Sequence, residues 1–249
     1  MSEYVTLSHK IRLKRASNES TSKLKQAIGA ARFCYNHAKA KSEQHYEEHG
    51  KSLSKFGLRN IMVSEVKQTN PWLYDLPKSI LESATFDFHG SLLHFFKRGH
   101  GFPGFRKRRD GRGSFTLSNA QFKVDGKFLT LTKIGKFQLT ENLRFEGKLL
   151  SCTVSQKGKH FYASITVEVP KSPLPHTGAE VGVDFNIHDI VTSDGYFLSH
   201  STFFRDDAKK LARAQRVMSR RVKGSNNWRK ARDRVRKIHS RISNRRVEH

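Results

Sequence analysis

Asp184 stands in the run Val181-Gly182-Val183-Asp184-Phe185, where large apolar residues alternate with a glycine and a carboxylate. A carboxylate in the middle of a buried strand is costly unless it is paired, hydrogen-bonded or bound to a metal. Two readings follow: a divalent-metal ligand, or a strand-end aspartate satisfied by backbone amides. A two-metal nuclease holds its cations with several convergent carboxylates, so one aspartate does not make such a site. Asp189 and Asp194 flank a hairpin and read as solvated, with Asp194 before Gly195 in ordinary turn chemistry. Asp206 and Asp207 read as the start of a helix, where carboxylates favour the dipole. His45 and His49 are spaced i,i+4 but lack a third ligand. Cys34 and Cys152 have no second cysteine at metal-ligand spacing, so no zinc site is expected within this chain. They read as two buried thiols.

A second chemistry is written in charge and aromatics. The run Phe95-Phe96-Lys97-Arg98-Gly99-His100-Gly101-Phe102-Pro103-Gly104-Phe105-Arg106-Lys107-Arg108-Arg109 interleaves cations, rings and glycines. Rings stack on bases, cations meet phosphates, and glycine admits close backbone approach. A basic linker with a few anchoring phenylalanines explains the same residues, and the spacing alone leaves both readings open. The candidate nucleic-acid contacts here are Lys97, Arg98, Phe102, Phe105, Arg106, Lys107, Arg108 and Arg109.

Between Arg205 and Arg246 basic residues recur at nearly every turn, against only Asp206, Asp207 and Asp233. A solvated helix face normally mixes signs, because opposite charges at i,i+4 support it. This one favours phosphate-backbone binding. The candidates are Lys209, Lys210, Arg213, Arg220, Arg221, Lys223, Arg229, Lys230 and Arg232.

The whole chain repeats the message. Its 249 residues carry 47 Lys and Arg against 22 Asp and Glu, a formal net charge of +25. Such a chain repels itself unless an anion neutralises it, and nucleic acid releases a counterion for each phosphate neutralised. No apolar run reaches the roughly 18 residues of a spanning helix, and Met1 to Lys10 has no signal-peptide core. A cytoplasmic, nucleoid-associated protein with no membrane partner and no small-molecule substrate is the expectation.

The elements that must position these residues change period along the chain. Val5, Leu7, Ile11 and Leu13 alternate as a strand. After a polar break at Ser17–Thr21, Leu24, Ile28, Ala31, Tyr35 and Ala38 take helical spacing, with Ser20 to Ser22 as N-cap hydroxyls. A second helix is expected over Leu58–Gln68. A third starts near Pro77, a residue suited to a first turn, and ends near Gly99. From Ser114 to Val169 the period is two, as in the antiparallel hairpins of a small barrel. Lys171 to Gly178 is a linker. Beyond it come Asp184's strand, a Ser193-Asp194-Gly195 hairpin turn, and two helices striped by Leu211, Ala214 and Met218, then by Trp228, Ala231, Val235, Ile238 and Ile242.

Gly182-Val183-Asp184-Phe185, followed by Asp189-Ile190-Val191-Thr192-Ser193-Asp194-Gly195, resembles the first RuvC motif of the TnpB, or OrfB-type transposase, family. These are RNA-guided DNA endonucleases of insertion sequences and relatives of the type V CRISPR effectors. Lys209–Gln215 and Lys223–Arg232 resemble the basic stretch after that motif. Ala31-Arg32-Phe33-Cys34-Tyr35-Asn36 resembles the family's first helix. Phe95-Phe96-Lys97 with Gly101–Phe105 resembles its linker into the barrel.

The resemblance implies an α+β multidomain fold. Residues 1–15 and 114–170 would form an oligonucleotide-binding-like β-barrel, the wedge. Residues 16–113 would be an inserted helical recognition block with the basic-aromatic linker. A linker at 171–178 would lead to a partial RNase H-like (RuvC) α/β domain at 179–249. It implies guide RNA and double-stranded DNA as partners, with base pairing reading the target. It implies Mg²⁺ as cofactor and Asp184 as both catalytic residue and metal ligand. Two departures qualify it. Asn186 stands where the family usually has glycine. The chain stops at His249, before the family's second RuvC motif, its zinc ribbon and its last RuvC aspartate, which implies a truncated, cleavage-incompetent form. A functional nuclease-dead RNA-guided DNA-binding regulator, or a generic basic RNA-binding protein, are the alternatives.

Overall fold

The computed structural model describes residues 3–108, 112–171, 178, 180–185, 189–199 and 203–248. It mixes helix and sheet in two compact units, residues 1–172 and 173–249.

In the first unit, strand β1 (Tyr4–Arg12) is followed by helix α1 (Asn18–His49), 32 residues long. The helix starts earlier than the Ser20–Ser22 hydroxyls suggest. Ser17 is the N-cap, its Oγ accepting from the Ser20 amide at 3.1 Å, as an N-cap hydroxyl does. Gly50 ends α1 in the left-handed region at φ 68°. Helix α2 (Lys55–Ile61) continues through a π-helical turn, Met62–Val66, into the short α3 (Lys67–Thr69). Helix α4 (Lys78–Arg98) begins directly after Pro77 and stops at the left-handed Gly99. Pro77 offers no capping side chain. Instead Gln121 Oε1, from beyond the helical block, accepts from the Ser79 amide at 3.1 Å and from the Ser79 hydroxyl.

Strands β2 (Arg112–Ser118), β6 (Lys148–Lys157) and β7 (His160–Pro170) join β1 in one antiparallel sheet of order β1-β7-β6-β2. The register pairs Tyr4 with Pro170 and Ile11 with Ala163. The helical block therefore leaves this sheet at one edge strand and returns at the other. Strands β3 (Phe122–Asp125), β4 (Phe128–Leu131) and β5 (Gly135–Gln138) make a second, three-stranded sheet. A Leu13–Leu139 bridge and backbone hydrogen bonds from Lys14 to Gln138 and from Thr140 to Arg12 tie the two sheets. One apolar cluster runs through helices and sheets, with Leu24, Leu58, Met62, Ile80 and Phe88 meeting Ile11, Leu117, Leu131 and Ile165. Both cysteines lie in it, and burial pushes each thiol up to about 12, so neither is a reactive thiolate.

The second unit holds a three-stranded antiparallel sheet, β10-β9-β8, and a helical hairpin. The strands are β8 (Val183–Phe185), β9 (Asp189–Thr192) and β10 (Phe197–Ser199). The helices are α5 (Phe203–Ser219) and α6 (Asn226–Glu248).

Candidate nucleic-acid interface

The basic-aromatic segment leaves α4 at Gly99 and belongs to no helix or strand through Arg108. It lies along α1. The Asn36 side chain grips the backbone of Arg106 at two points: Oδ1 accepts from the amide at 2.8 Å, and Nδ2 donates to the carbonyl at 3.0 Å. The Arg106 guanidinium sits 3.6 Å from the centroid of the Tyr35 ring and 3.5 Å from the Asp87 carboxylate. Lys39 Nζ lies 4.8 Å from the Phe102 ring centroid and 4.6 Å from that of Phe105, and pairs with the Glu43 carboxylate. Pro103 between the two rings is buried, and Phe95 meets Phe102 edge-on at 5.3 Å.

Both readings of this segment thus have geometry behind them. Each of Phe102 and Phe105 is engaged by an ammonium, yet they remain 50% and 54% exposed. Lys97, Arg98, Lys107 and Arg108 are exposed, while Arg109 lies outside the described residues. An open groove of about 590 Å³ runs beside the segment, lined by Ile28, Arg32, Asp87, Phe105, Arg106, Lys107, Gly113 and Ser114. Gly113, at φ 144°, brings β2 against α1 so closely that a Cβ there would lie 2.3 Å from Ile28 Cγ2. Arg32, Asn36 and Lys39 follow each other at one-turn spacing on α1. The grip of Asn36 and Lys39 on this segment was not legible in the sequence, because Phe102, Phe105 and Arg106 come more than sixty residues later in the chain. The available signal was polar residues on the helix stripe otherwise given to the core.

In the helical hairpin, α5 turns Asp207, Leu211, Ala214 and Met218 inward. Lys209, Lys210 and Arg213 are exposed, as are Arg220, Arg221 and Lys223 at the turn and Arg229 and Lys230 on α6. Arg232 is half-buried, its guanidinium 5.2 Å from the Trp228 ring centroid. The Ser225 hydroxyl caps α6 by accepting from the Trp228 amide at 3.1 Å. Asp207 has a role beyond the one its helix-start position implies. It lies near the start of α5, but it is 1% exposed and holds Arg241 through two hydrogen bonds and Arg245 at 3.2 Å.

Asp184 lies in edge strand β8 opposite Val191. The alternation of buried and exposed positions expected there is absent. Val183, Asp184 and Phe185 are all exposed, so the burial argument for a metal does not apply to Asp184. The Gly182 amide donates to Ser193 Oγ at 2.9 Å, closing the start of the sheet. Asp194 accepts from the Thr192 hydroxyl, which holds its carboxyl below the ordinary range, as turn chemistry requires. Asp189 is half-buried at the start of β9. Asn186 lies outside the described residues. Among the described residues no group of three or more His, Cys, Asp or Glu side chains is placed to hold a metal. The His45 and His49 rings stack, and His49 Nδ1 is 3.1 Å from the His45 carbonyl. No helix among the described residues is long and apolar enough to cross a membrane.

Two family profiles match. One, OrfB IS605, described as a probable transposase, covers residues 164–249, and its companion, described as a helix-turn-helix domain, covers residues 1–51. The Escherichia coli (strain K12) protein named "Putative RNA-guided DNA endonuclease InsQ" is 29% identical over 233 residues, spanning 92% of this chain. Both profiles and this relative point to the OrfB, or TnpB-type, family. A Streptomyces pristinaespiralis protein of the same name without the InsQ designation is 28% identical over 239 residues, 93% of this chain. The chain spans 58% and 59% of the lengths of these two relatives. A cryo-EM structure of a Cas12f1–sgRNA–target DNA complex aligns with 96% of this chain and 67% of the matched one, at 13% identity and a TM-score of 0.38. Despite the name of the profile for residues 1–51, the described part of that span holds a strand and one long helix, β1 and α1.

Proposed function

We propose that this chain binds guide RNA and DNA, as the names of its TnpB-type relatives suggest, and that it binds without cutting. One observation carries the binding: the described cations of the basic-aromatic segment and of the α5–α6 hairpin are largely exposed, while Asp207, an acid that could have balanced them, is turned inward onto arginines. Backbone phosphates are neutralised by such a face, and the half-exposed Phe102 and Phe105 add stacking surface for unpaired bases.

The two sheets of the first unit serve in this reading as an oligonucleotide-binding-like wedge. The Leu13–Leu139 bridge that ties them supports it. The second unit is read as part of an RNase H-like domain, with Asp184 on its strand. Mg²⁺ would supply charge neutralisation and an activated water to such a domain. The described residues do not fit a complete site for it: Asp184 is one exposed carboxylate, Asp194 is engaged in its own turn, and Asp207 is held by arginines. No cleavage step is assigned to them.

The test is binding of a fluorescent oligo(U) and of a duplex DNA across a salt series. The expected result is a linear fall of log affinity with log salt, about 0.7 per phosphate contact on a single strand and about 0.9 on a duplex. A flat response, or no binding at low salt, overturns the reading.

A further inference from the structure

We propose that Asn36 and Lys39 are positioning residues that clasp the segment Gly99–Arg108 onto α1 and fix its path before any nucleic acid arrives. The consequence for affinity rests on the nucleic-acid reading above; the clasp itself does not.

The segment has three glycines and no regular structure to hold it, so a free version would explore many paths. Asn36 supplies what a neighbouring strand would supply, a donor and an acceptor to the same residue, Arg106. The side-chain amide does both from two adjacent atoms: aspartate keeps the acceptor but sets a second carboxylate oxygen against the Arg106 carbonyl. Lys39 provides the second fixed point. In a chain of net charge +25 a lysine is expected to face phosphate, but this one is 4% exposed. Its ammonium is neutralised by Glu43 and covered by Phe102 and Phe105. It cannot reach a phosphate from there, so its charge serves the two rings. Arg106 is likewise engaged by Tyr35 and Asp87. The exposed Lys107 and Arg108 then start from a backbone anchored one residue earlier. Anchoring pays their ordering cost in advance.

The experiment uses the full chain, with Asn36→Asp, Lys39→Met, Lys39→Arg and, as a contact control, Lys107→Ala. Trypsin cleavage after Arg106, Lys107 and Arg108 is timed without nucleic acid, and labelled oligo(U) binding is measured across a salt series. Asn36→Asp and Lys39→Met are expected to be cleaved about tenfold faster and to bind about tenfold more weakly at every salt concentration, with the wild-type salt slope. Lys39→Arg, which keeps a cation between the rings, is expected to retain wild-type protection. Lys107→Ala is expected to lower the slope by about 0.7 instead. Wild-type protection in Asn36→Asp, or a reduced salt slope in it, overturns the clasp. Should Asn36→Asp lose its thermal transition, the Lys39→Met and Lys39→Arg pair makes the same comparison. If nothing binds oligo(U) while protection still differs, the clasp stands and the nucleic-acid reading falls.

Discussion

Asp184 offers a cation one carboxylate on an exposed edge strand, opposite a valine. A lone carboxylate retains a divalent cation poorly, because it supplies one ligand, neutralises half of the ion's charge and leaves the rest of its shell as exchangeable water. Purified chain with guide RNA and Mg²⁺ or Mn²⁺ is therefore expected to nick supercoiled plasmid no faster than Asp184→Ala does. Metal-dependent nicking abolished by Asp184→Ala would show that another carboxylate, or a second copy of the chain, completes the site. The position of Asp184 on a strand was legible, because alternation reveals which residues share a face. Whether anything covers that face is a tertiary fact, and here nothing among the described residues buries Val183 or Phe185. Lys39 was illegible for the converse reason: a lysine on a helix looks solvated until the rings that cover it are placed.

The α5–α6 hairpin depends on an acid near one helix start reaching arginines near the other helix's end. Removing the Asp207 carboxylate leaves Arg241 and Arg245 without it and the space it filled empty. Asp207→Ala is expected to cost the hairpin about 1–3 kcal/mol, seen as earlier loss of far-ultraviolet helical signal on heating the full chain. An unchanged transition would mean that water replaces the carboxylate at no cost. Elements of this kind were readable where punctuation was strong, as for α4 between Pro77 and Gly99. The start of α1 was less so, since Ser17, Ser20 and Ser22 all carry a capping hydroxyl and only backbone geometry selects Ser17. The π-helical turn at Met62–Val66 has no sequence signature, because it satisfies the same hydrophobic period as the helix around it.

Across the first unit, three histidines resist protonation. His37, His89 and His160 are each lowered from 6.5, first by burial and then by a neighbouring cation, Lys41, Lys55 and Arg12 respectively. The folded state therefore holds fewer protons than the unfolded one just below that value. Stability present above about pH 6.5 is lost as the pH falls through the lowered values. A lower melting temperature at pH 5.5 than at pH 7.5 is expected, and substituting all three by glutamine is expected to flatten the dependence. An equally steep profile in the triple variant would assign the effect to general charge repulsion instead.

The sheet order β1-β7-β6-β2 also imposes a schedule on synthesis. Strand β1 is made first, yet its hydrogen-bonding partner β7 is His160–Pro170. At about 5–20 residues per second, the first strand waits roughly 8–30 s on the ribosome with its backbone groups unpaired. The helices that follow it fold from local contacts and can be complete before that wait ends. The nascent chain therefore carries a finished helical block hung between an open strand and an unmade sheet, and the last strand of the unit to emerge closes both.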